Sequence, residues 1–272
     1  MISRIATTLV VVAALIAIAC VDMSAPAGPA SISLLQLPSP SVVVGDSMRD
    51  SNGVVRPIRV VAFDASGIPT DDVLMEFFIV SDTIGIAHLT PSNVLVGDKV
   101  GVARLIGQVK SMQTPFVDLI VTHLPAKLQT GPKPNPSRDT LVAPLGADSA
   151  TSNASVTVTA VVRSVQDSAS RGIIVRYALV GHVPGTRQGA PGPAVFIAGD
   201  DGKRSTADTT DPAGLVSRRL TVVSAFLADT ALVRGNSVDS ATVEMTASYR
   251  GVPLTGSPFR IVVPIVVRLE AP

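Results

Sequence analysis

Apolar and polar residues alternate along most of the chain after residue 30. In Ser155–Val162 three valines and an alanine fall on one face, with hydroxyl side chains on the other. The same alternation runs through Ala241–Tyr249 and Val117–Thr122, whereas helical periodicity is hard to find. A period of two places successive side chains on opposite faces of a β-strand. The pattern predicts an all-β chain whose strands each bury one face, as in a sandwich of antiparallel sheets.

Four short segments rich in Asp and Gly lie between the alternating stretches. They are Asp50-Ser51-Asn52-Gly53, Asp64-Ala65-Ser66-Gly67, Asp200-Asp201-Gly202 and Asp211-Pro212-Ala213-Gly214. The Gly at the end of each segment favours a turn that needs a positive φ angle. Clustered Asp oxygens also suit Ca²⁺, but no segment has the spacing of an EF-hand loop or its closing Glu. We interpret the segments as turns, with calcium binding as the alternative.

The alternating stretches form two groups that repeat loosely along the chain. The matched segments are Ile58–Phe63 with Val156–Val162, Gly101–Leu105 with Gly214–Arg218, and Phe116–Thr122 with Thr242–Ser248. Between the groups, Leu124–Pro144 carries five prolines, a composition that favours an extended and fairly stiff spacer. The predicted divisions are a signal peptide over 1–19, a tether over 20–30, one sandwich over 31–125, a Pro-rich linker over 126–144 and a second sandwich over 145–272.

The composition narrows the class of protein. Apolar residues make up 46% of the 272 residues, enough for two cores of ordinary size. The chain has one cysteine, which excludes an internal disulfide framework. A formal net charge of +1 and an aromatic content of 3% leave neither a basic stripe nor a platform for stacking bases. We therefore expect no nucleic-acid partner.

The N-terminus has the layout of an export signal. Met1–Arg4 carries the α-amino group and one Arg, and Ile5–Ala19 is apolar apart from two threonines. Fifteen residues of helix span about 22 Å, which is short of a bilayer core of about 30 Å. A charged start, an apolar run and small residues at its end are typical of a signal peptide. A permanent transmembrane anchor is the weaker interpretation.

The lone cysteine, Cys20, lies at the end of this apolar run. Ala17-Ile18-Ala19-Cys20 resembles the lipobox of bacterial lipoproteins, with Ala17 where that family usually has Leu. The resemblance implies that Cys20 becomes the first mature residue and carries a lipid that holds the protein at a membrane. Two or more acyl chains are needed for stable anchoring. Ala17-Ile18-Ala19 also fits an ordinary signal peptidase, which would release a soluble protein.

The order of strands and turns resembles a second family. A strand ending in Val-x-Val/Ala-x-Asp, a turn, a strand ending near Val-x-Phe and a Gly-Val-Ala turn are similar to bacterial immunoglobulin-like domains of the invasin and intimin type. Asp208–Ser217 looks like that family's T-D-x-x-G-x-A turn, with Val216 in place of the usual Ala. The resemblance covers roughly 31–125 and 145–268. It implies tandem sandwiches that serve as spacers or adhesive modules.

No pattern typical of a catalytic centre is present. The three histidines, His88, His123 and His182, are far apart, and none has a Cys or His at ligand spacing. There is no phosphate-binding Gly-rich loop and no Gly-x-Ser-x-Gly elbow. We expect no enzyme activity, no cofactor and no metal site.

One long segment of the second group is a candidate contact loop. Gly181–Pro193 has four Gly and three Pro, where a hairpin between strands needs two to five residues. A tolerated insertion is one interpretation, and a loop that presents His182, Arg187 and Gln188 to a partner is the other. Because little in the loop looks buried, we expect replacement of Val183–Gly192 by a short turn to change stability by less than about 1 kcal/mol.

Together these features predict a non-enzymatic, lipid-anchored protein of the bacterial cell envelope, facing the periplasm or the cell surface. Its function would be adhesion, spacing or assembly, with a membrane bound through Cys20 and an unidentified protein or surface ligand as partners. The alternative is a soluble periplasmic or secreted binding protein released by signal peptidase.

Overall fold

The computed structural model describes residues 29–70, 75–80, 85–132, 140–144, 153–228 and 238–268. These residues form twenty-one β-strands and one 3₁₀ turn, Ser224–Phe226, with no α-helix among them. The predicted all-β fold class is confirmed. Within the same residues, no helix is long and apolar enough to cross a membrane.

The strands divide along the sequence into an N-terminal set, β1–β10, and a C-terminal set, β11–β21. The N-terminal strands are β1 (Ser31–Ile32), β2 (Ser41–Val43), β3 (Ala62–Phe63), β4 (Pro69–Thr70), β5 (Glu76–Val80), β6 (Ala87–Leu89), β7 (Leu95–Gly97), β8 (Gly101–Val109), β9 (Met112–Gln113) and β10 (Val117–Thr122). The C-terminal strands are β11 (Pro125–Thr130), β12 (Leu141–Pro144), β13 (Asn153–Ser164), β14 (Ile174–Val180), β15 (Val195–Ala198), β16 (Ala207–Thr209), β17 (Leu215–Val223), β18 (Val238–Thr246), β19 (Ser248–Tyr249), β20 (Val252–Pro253) and β21 (Phe259–Arg268).

The C-terminal strands build a two-sheet sandwich with immunoglobulin-like topology. One sheet has the order β11-β13-β17-β15 and the other the order β12-β21-β18-β14-β16. Antiparallel pairing dominates, and β12 runs parallel to β21 at the sheet edge. A four-stranded sheet that packs against a second sheet, here with β21, β18 and β14 at its centre, is the arrangement of immunoglobulin domains. We call β11–β21 the C-terminal sandwich.

Its core follows the alternation read from the sequence. In β13, Val158, Ala160 and Val162 are buried while Ser155 and Thr157 are exposed. The same holds along β18, and the residues of both inner faces join in one cluster. The largest fully buried side chains of that cluster are Leu220, Met245, Ile261 and Ile265. Burying each such side chain contributes about 1.5–3 kcal/mol.

The N-terminal set repeats one of these sheets. Its order, β2-β10-β8-β5, matches β12-β21-β18-β14, and the first pair is parallel in both. Topology therefore equates β8 with β18 and β10 with β21. The predicted match of Gly101–Leu105 with Gly214–Arg218 is wrong, because the latter begins β17 in the other sheet. Alternating strands share one pattern, so a sequence match can slip by a strand. The match of Phe116–Thr122 with Thr242–Ser248 slipped in the same way.

The chain divides into two compact units that do not coincide with the two predicted sandwiches. The smaller contains the described residues of 29–36, 59–78 and 106–116, with the three-stranded sheet β1-β3-β4 and a core that includes Leu35, Val60 and Ala62. The larger contains the described residues of 37–58, 79–105 and 117–268. Residues 37–58 thus belong to the same unit as the C-terminal sandwich.

The predicted linker over 126–144 is too long at both ends. Its first residues lie in β11, which pairs with β13, and its last residues form β12, which pairs with β21. Leu128, Leu141 and Ala143 are buried in the core of the sandwich. Apolar alternation at the two ends outweighs the proline content there, because the closely spaced prolines are confined to 132–136. The predicted signal peptide and most of the tether lie outside the described residues.

The interpretation of the Asp-Gly segments as turns is confirmed. In three of them an Asp Oδ1 accepts the backbone N–H groups two and four residues later, at Asp50, Asp64 and Asp211. Gly53 and Gly67, which end two of these turns, have φ angles of +79° and +78°. The Asp carboxylates therefore close their own turns. No group of three or more His, Cys, Asp or Glu in the described parts of the chain is placed to hold a metal ion.

Candidate functional site

The three predicted contact residues lie in one exposed loop of the C-terminal sandwich. His182, Arg187 and Gln188 are all exposed. His182 Nε2 lies 2.7 Å from Asp239 Oδ1 in β18, so one of the three is held by a charged neighbour. Cys20, the predicted lipid attachment site, lies outside the described residues.

The loop itself is more firmly held than its composition predicts. Gly185 O accepts the N–H of Ala228, and Arg187 N–H donates to Phe226 O, which ties the loop to the turn after β17. Thr186 Oγ1 accepts the N–H of Ala194 at 2.8 Å. Pro184 is buried.

Val183 packs against the sandwich core, and this changes the expectation for the loop. The expectation that little in it is buried is wrong, because Gly and Pro content indicates where a chain turns and not what the turns cover. The tips at Arg187 and Gln188 remain free to meet a partner.

A second cluster, not found from the sequence, forms around Asp46. Asp46 follows β2, and its N–H donates to Val43 O in a tight turn. The residue is 7% exposed, and it is the only charged residue among the buried residues of the described chain. A buried carboxylate is costly unless donors surround it. Its surroundings therefore decide what this position does.

Two arginines and a tyrosine supply those donors. Arg49 Nε and Nη2 donate to the two Asp46 oxygens at 2.9 and 3.0 Å. Arg250 Nε donates to Oδ2 at 2.9 Å, and its Nη2 lies 2.7 Å from Oδ1. The Tyr249 hydroxyl donates to Oδ2, and Ser47 N–H donates to Oδ1 at 2.8 Å. Forked arginine contacts of this kind fix geometry as well as charge. We call Asp46, Arg49, Tyr249 and Arg250 the Asp46 cluster.

The partners arrive from opposite ends of the sequence. Arg49 is local, whereas Tyr249 and Arg250 lie in the β19–β20 hairpin, about two hundred residues away. Arg250 and Gly251 have φ angles of +51° and +75°, as a two-residue hairpin turn of type I′ requires. This turn aims the Arg250 side chain at Asp46, and the guanidinium lies 5.6 Å from the Tyr249 ring centroid.

The pKa values reflect this environment. Burial alone raises the pKa of Asp46, but hydrogen bonds from Arg49, Arg250 and Tyr249 outweigh it and hold the pKa well below the ordinary value of 3.8. Burial, and then the bond to Asp46, raise the pKa of Tyr249 to about 12. Asp46 is thus ionised and fully engaged at neutral pH. It is unsuited to act as a general base, because its oxygens already accept these donors.

Further close contacts connect β2, β10 and the turn at Asp50–Gly53 with the C-terminal sandwich. Ser41 Oγ donates to Gly172 O at 3.0 Å, and Arg171 N–H donates to Thr122 Oγ1 at 2.7 Å. A Cβ placed on Gly53 would lie 2.9 Å from the Arg250 carbonyl carbon, so the backbones of the two turns touch. The β2 segment and β10 are therefore joined to the C-terminal sandwich by polar contacts as well as by the chain.

A cavity of about 280 Å³ lies beside the Asp46 cluster, between residues 39–53 and the ends of β14 and β18. Its lining includes Arg49, Arg176 and Arg250, several serines, and apolar side chains from both segments. The sequence offers one weak signal for this region, the Tyr-Arg-Gly turn at 249–251. Nothing in the local pattern connects that turn with Asp46.

Known proteins add the following comparisons. No protein-family model matches the chain, and neither does any curated protein. Among solved structures, the Yersinia pseudotuberculosis adhesin InvE is similar at 14% identity and a TM-score of 0.34, over 85% of this chain and 58% of that one. Domains 4 and 5 of the S-layer protein SbsC are similar at 11% identity and a TM-score of 0.30, over 88% and 99%.

Invasin, described as a bacterial integrin-binding protein, is similar at 16% identity and a TM-score of 0.25, over 87% of this chain and 41% of that one. The chain thus spans less than two thirds of InvE and of invasin. These likenesses concern the fold, which the strand pairing described above defines for this chain.

Proposed function

We propose that this chain is a non-enzymatic, lipid-anchored protein of the bacterial cell envelope whose sandwich domains act as a spacer or as an adhesion or assembly module. The observation that carries the proposal is the Asp46 cluster. A buried carboxylate held by two arginines and a tyrosine joins the turn after β2 to the β19–β20 hairpin. A spacer needs its parts fixed relative to one another, and this cluster is such a fixed joint between two parts of the larger compact unit.

The connection along the chain also supports a spacer. β10 ends at Thr122 and β11 begins at Pro125, so only two residues separate a strand of the N-terminal sheet from a strand of the C-terminal sandwich. A two-residue connection that is followed directly by Pro has little conformational freedom. The joint is therefore restrained by covalent and by ionic contacts.

The carboxylates at and beside the cavity are already held by structural partners, which agrees with the non-enzymatic part of the proposal. Asp46 is the one charged residue buried in the described chain, and its oxygens are taken by structural donors. Glu244, which lines the cavity, is paired with Arg260 at 2.7 Å. A general acid or base needs a free proton site next to the substrate.

A distance measurement across the joint tests the spacer. Nitroxide labels at Lys99→Cys and Lys203→Cys, in purified full-length protein that also carries Cys20→Ser, report the distance between two exposed sites of the same compact unit. We expect a narrow distribution by double electron–electron resonance that broadens when Asp46→Ala is added. Asp64→Ala, which removes an Asp that closes only its own turn, is the matched control. A distribution that is equally broad with and without Asp46 overturns the rigid joint.

The anchor is tested separately. Mass spectrometry of the mature N-terminus should find Cys20 as the first residue with a diacylglycerol mass, and Cys20→Ser should leave an uncleaved precursor or a released protein. An unmodified thiol at a mature N-terminal Cys20 overturns lipid anchoring. The protein would then be the alternative, a soluble periplasmic or secreted binding protein, which the cavity beside the Asp46 cluster favours. Membrane fractionation separates the two.

A further inference from the structure

The cavity beside the Asp46 cluster has the size of a small-molecule site. Its volume is about 280 Å³. A cavity of about 150 Å³ holds benzene, so this one has room for roughly ten non-hydrogen atoms. Two of its walls are in direct contact, because Ser41 Oγ donates to Gly172 O at 3.0 Å and a Cβ on Gly172 would lie 2.5 Å from Ser41 Cβ.

The acidic side chains of the lining are already neutralised. Asp50 Oδ2 lies 3.1 Å from Arg56 Nε, and Glu244 Oε2 lies 2.7 Å from Arg260 Nε. The Asp46 cluster has two guanidinium groups for one carboxylate, which leaves it a formal charge of +1. The uncompensated charge that the lining presents is thus positive.

Arg176 adds a second positive charge to the lining. It is exposed on β14, and its side chain has no hydrogen-bond or ion-pair partner among the described residues. The β14–β18 register places Arg176 directly opposite Thr246, which is also in the lining. A guanidinium next to a hydroxyl is a donor set for an acidic group. This pair forms the polar end of the site.

Apolar side chains line part of the wall near Arg176, beside several serines. Ile174 stands two residues before Arg176 on the same face of β14, and the exposed Pro253 and Pro258 also line the cavity. These side chains offer contact to a hydrocarbon body and give no hydrogen bonds. A site with a free guanidinium and a hydroxyl at one end and apolar side chains beside them suits an acid with an apolar body.

We propose that this cavity binds a small organic carboxylate, with the acidic group on Arg176 and the apolar body against Ile174 and Pro258. The proposal goes beyond a spacer function and does not depend on lipid attachment. It makes the joint a ligand site, because the cavity is lined both by the C-terminal sandwich and by Ser47 and Arg49 of the segment after β2. The neighbouring Arg250 contributes its positive field, while its own donors stay on Asp46.

Binding is tested with cyclohexanecarboxylate, which has nine non-hydrogen atoms and one charge. Titration of purified, isotope-labelled full-length protein is followed by two-dimensional ¹H–¹⁵N NMR. We expect saturable shifts confined to the cavity lining, in the micromolar to millimolar range usual for ligands of this size. Cyclohexanecarboxamide, the neutral analogue, and inorganic phosphate, an anion without an apolar body, should each bind at least about tenfold more weakly.

Two variants complete the test. Arg176→Gln should weaken cyclohexanecarboxylate binding about tenfold or more, whereas Arg59→Gln, which removes an equally exposed charge in the smaller unit, should not change it. Neither change should lower the melting temperature. An unchanged melting temperature shows that a loss of binding does not come from a loss of fold. Absence of saturable shifts, equal binding of the amide, or unchanged binding by Arg176→Gln overturns the proposal. Tighter binding of phosphate than of the carboxylate overturns it as well.

Discussion

The Asp46 cluster and the Gly181–Pro193 loop differ in where their stabilising contacts originate. The loop is held by backbone hydrogen bonds to Phe226 and Ala228 in its own sandwich, and by one threonine hydroxyl. The Asp46 cluster gathers charged side chains from the turn after β2 and from the β19–β20 hairpin. The loop therefore completes one sandwich, and the cluster joins a strand of the N-terminal sheet to that sandwich.

This difference has an energetic consequence. Backbone hydrogen bonds in a loop contribute about 0.5–1.5 kcal/mol each and are lost together when the loop is removed. A buried carboxylate concentrates its effect in one residue, because removal of Asp46 leaves two guanidinium groups without their acceptor. Single substitutions should thus be severe at the cluster and mild in the loop.

The largest effect is expected for Asp46→Ala. Breaking a fully buried ion pair costs about 3–5 kcal/mol, and Arg250 is partly exposed, so we expect about 2–3 kcal/mol loss in the free energy of unfolding by urea denaturation. Asp64→Ala, which affects only its own turn, should cost about 1 kcal/mol. Equal losses for the two variants would show that the Asp46 contacts add nothing beyond a turn.

The acid dependence of stability sharpens the same comparison. Because the folded-state pKa of Asp46 lies well below 3.8, its contribution is fully present above the ordinary pKa and is lost as the pH falls through and below that value. Unfolding curves between pH 2.5 and 7 should therefore show a steeper acid loss for the wild type than for Asp46→Asn. The same pH dependence of the unfolding free energy in both proteins would contradict the assignment of Asp46 as an ionised carboxylate stabilised by its donors.

Replacement of Val183–Gly192 by an Asn-Gly turn should have the next largest effect. The buried Pro184, the core contact of Val183 and the Thr186 hydroxyl would all be lost. We expect a destabilisation of about 2 kcal/mol, larger than the loop composition indicates. Thr186→Val alone, as a matched smaller change, should cost about 1 kcal/mol. A fully neutral replacement would show that the loop contacts are dispensable.

A matched pair of glycines isolates the contact between the two turns. Gly53 and Gly67 end Asx turns of the same pattern with nearly equal φ angles, yet a Cβ would meet the Arg250 backbone at Gly53 and nothing within 4 Å at Gly67. Alanine at a positive φ costs about 1 kcal/mol at either position. Gly53→Ala should cost about 1 kcal/mol more than Gly67→Ala in thermal unfolding. An equal loss of stability for the two variants would show that the turn at Gly53 does not touch the turn at Arg250.

The sequence predicted the features that depend on residues a few positions apart, and it missed the contacts between residues far apart in the chain. Alternation located the buried faces of β13 and β18, and the Asp-x-x-Gly spacing located turns whose carboxylate closes them. Both follow from contacts between residues a few positions apart. Asp46 and Arg250 carry no such signal, since two hundred residues separate them and each alone looks like a surface residue.

The two errors in organisation have the same cause. The sequence matches the start of β8 with that of β17 because a Gly opens or directly precedes each alternating stretch, although pairing places the two strands in sheets of different order. The prolines nearby place residues 126–130 in the predicted linker, although Leu128 packs into the core. In both cases the deciding interaction is a strand partner far along the chain, which composition does not identify.

Tyr249→Phe should have a smaller effect that appears mainly at high pH. The folded-state pKa of Tyr249 is raised from 10.0 to about 12, so its contribution is present below pH 10 and is lost as the pH rises towards 12. The wild type should therefore lose stability more steeply than Tyr249→Phe in that interval, measured by urea denaturation at fixed ionic strength. Tyr177 also titrates at high pH, but it is present in both proteins, so its contribution to the pH dependence cancels in the comparison. If the unfolding free energy falls equally with pH in the two proteins, the Tyr249 hydroxyl does not stabilise the fold through its bond to Asp46.

The smallest effect is expected at the exposed tip of the loop. The Arg187 and Gln188 side chains make no hydrogen bond or ion pair within the described residues, and the hydrogen bonds of Arg187, to Phe226 and from Ala190, are made by its backbone. Arg187→Ala and Gln188→Ala should each change the free energy of unfolding by less than about 0.5 kcal/mol. Since backbone bonds fix the loop, its tip stays in place when these side chains are cut back. A partner that contacts the tip should then lose affinity for the double variant while the melting temperature is unchanged, whereas a drop in melting temperature would mean that the side chains serve the fold.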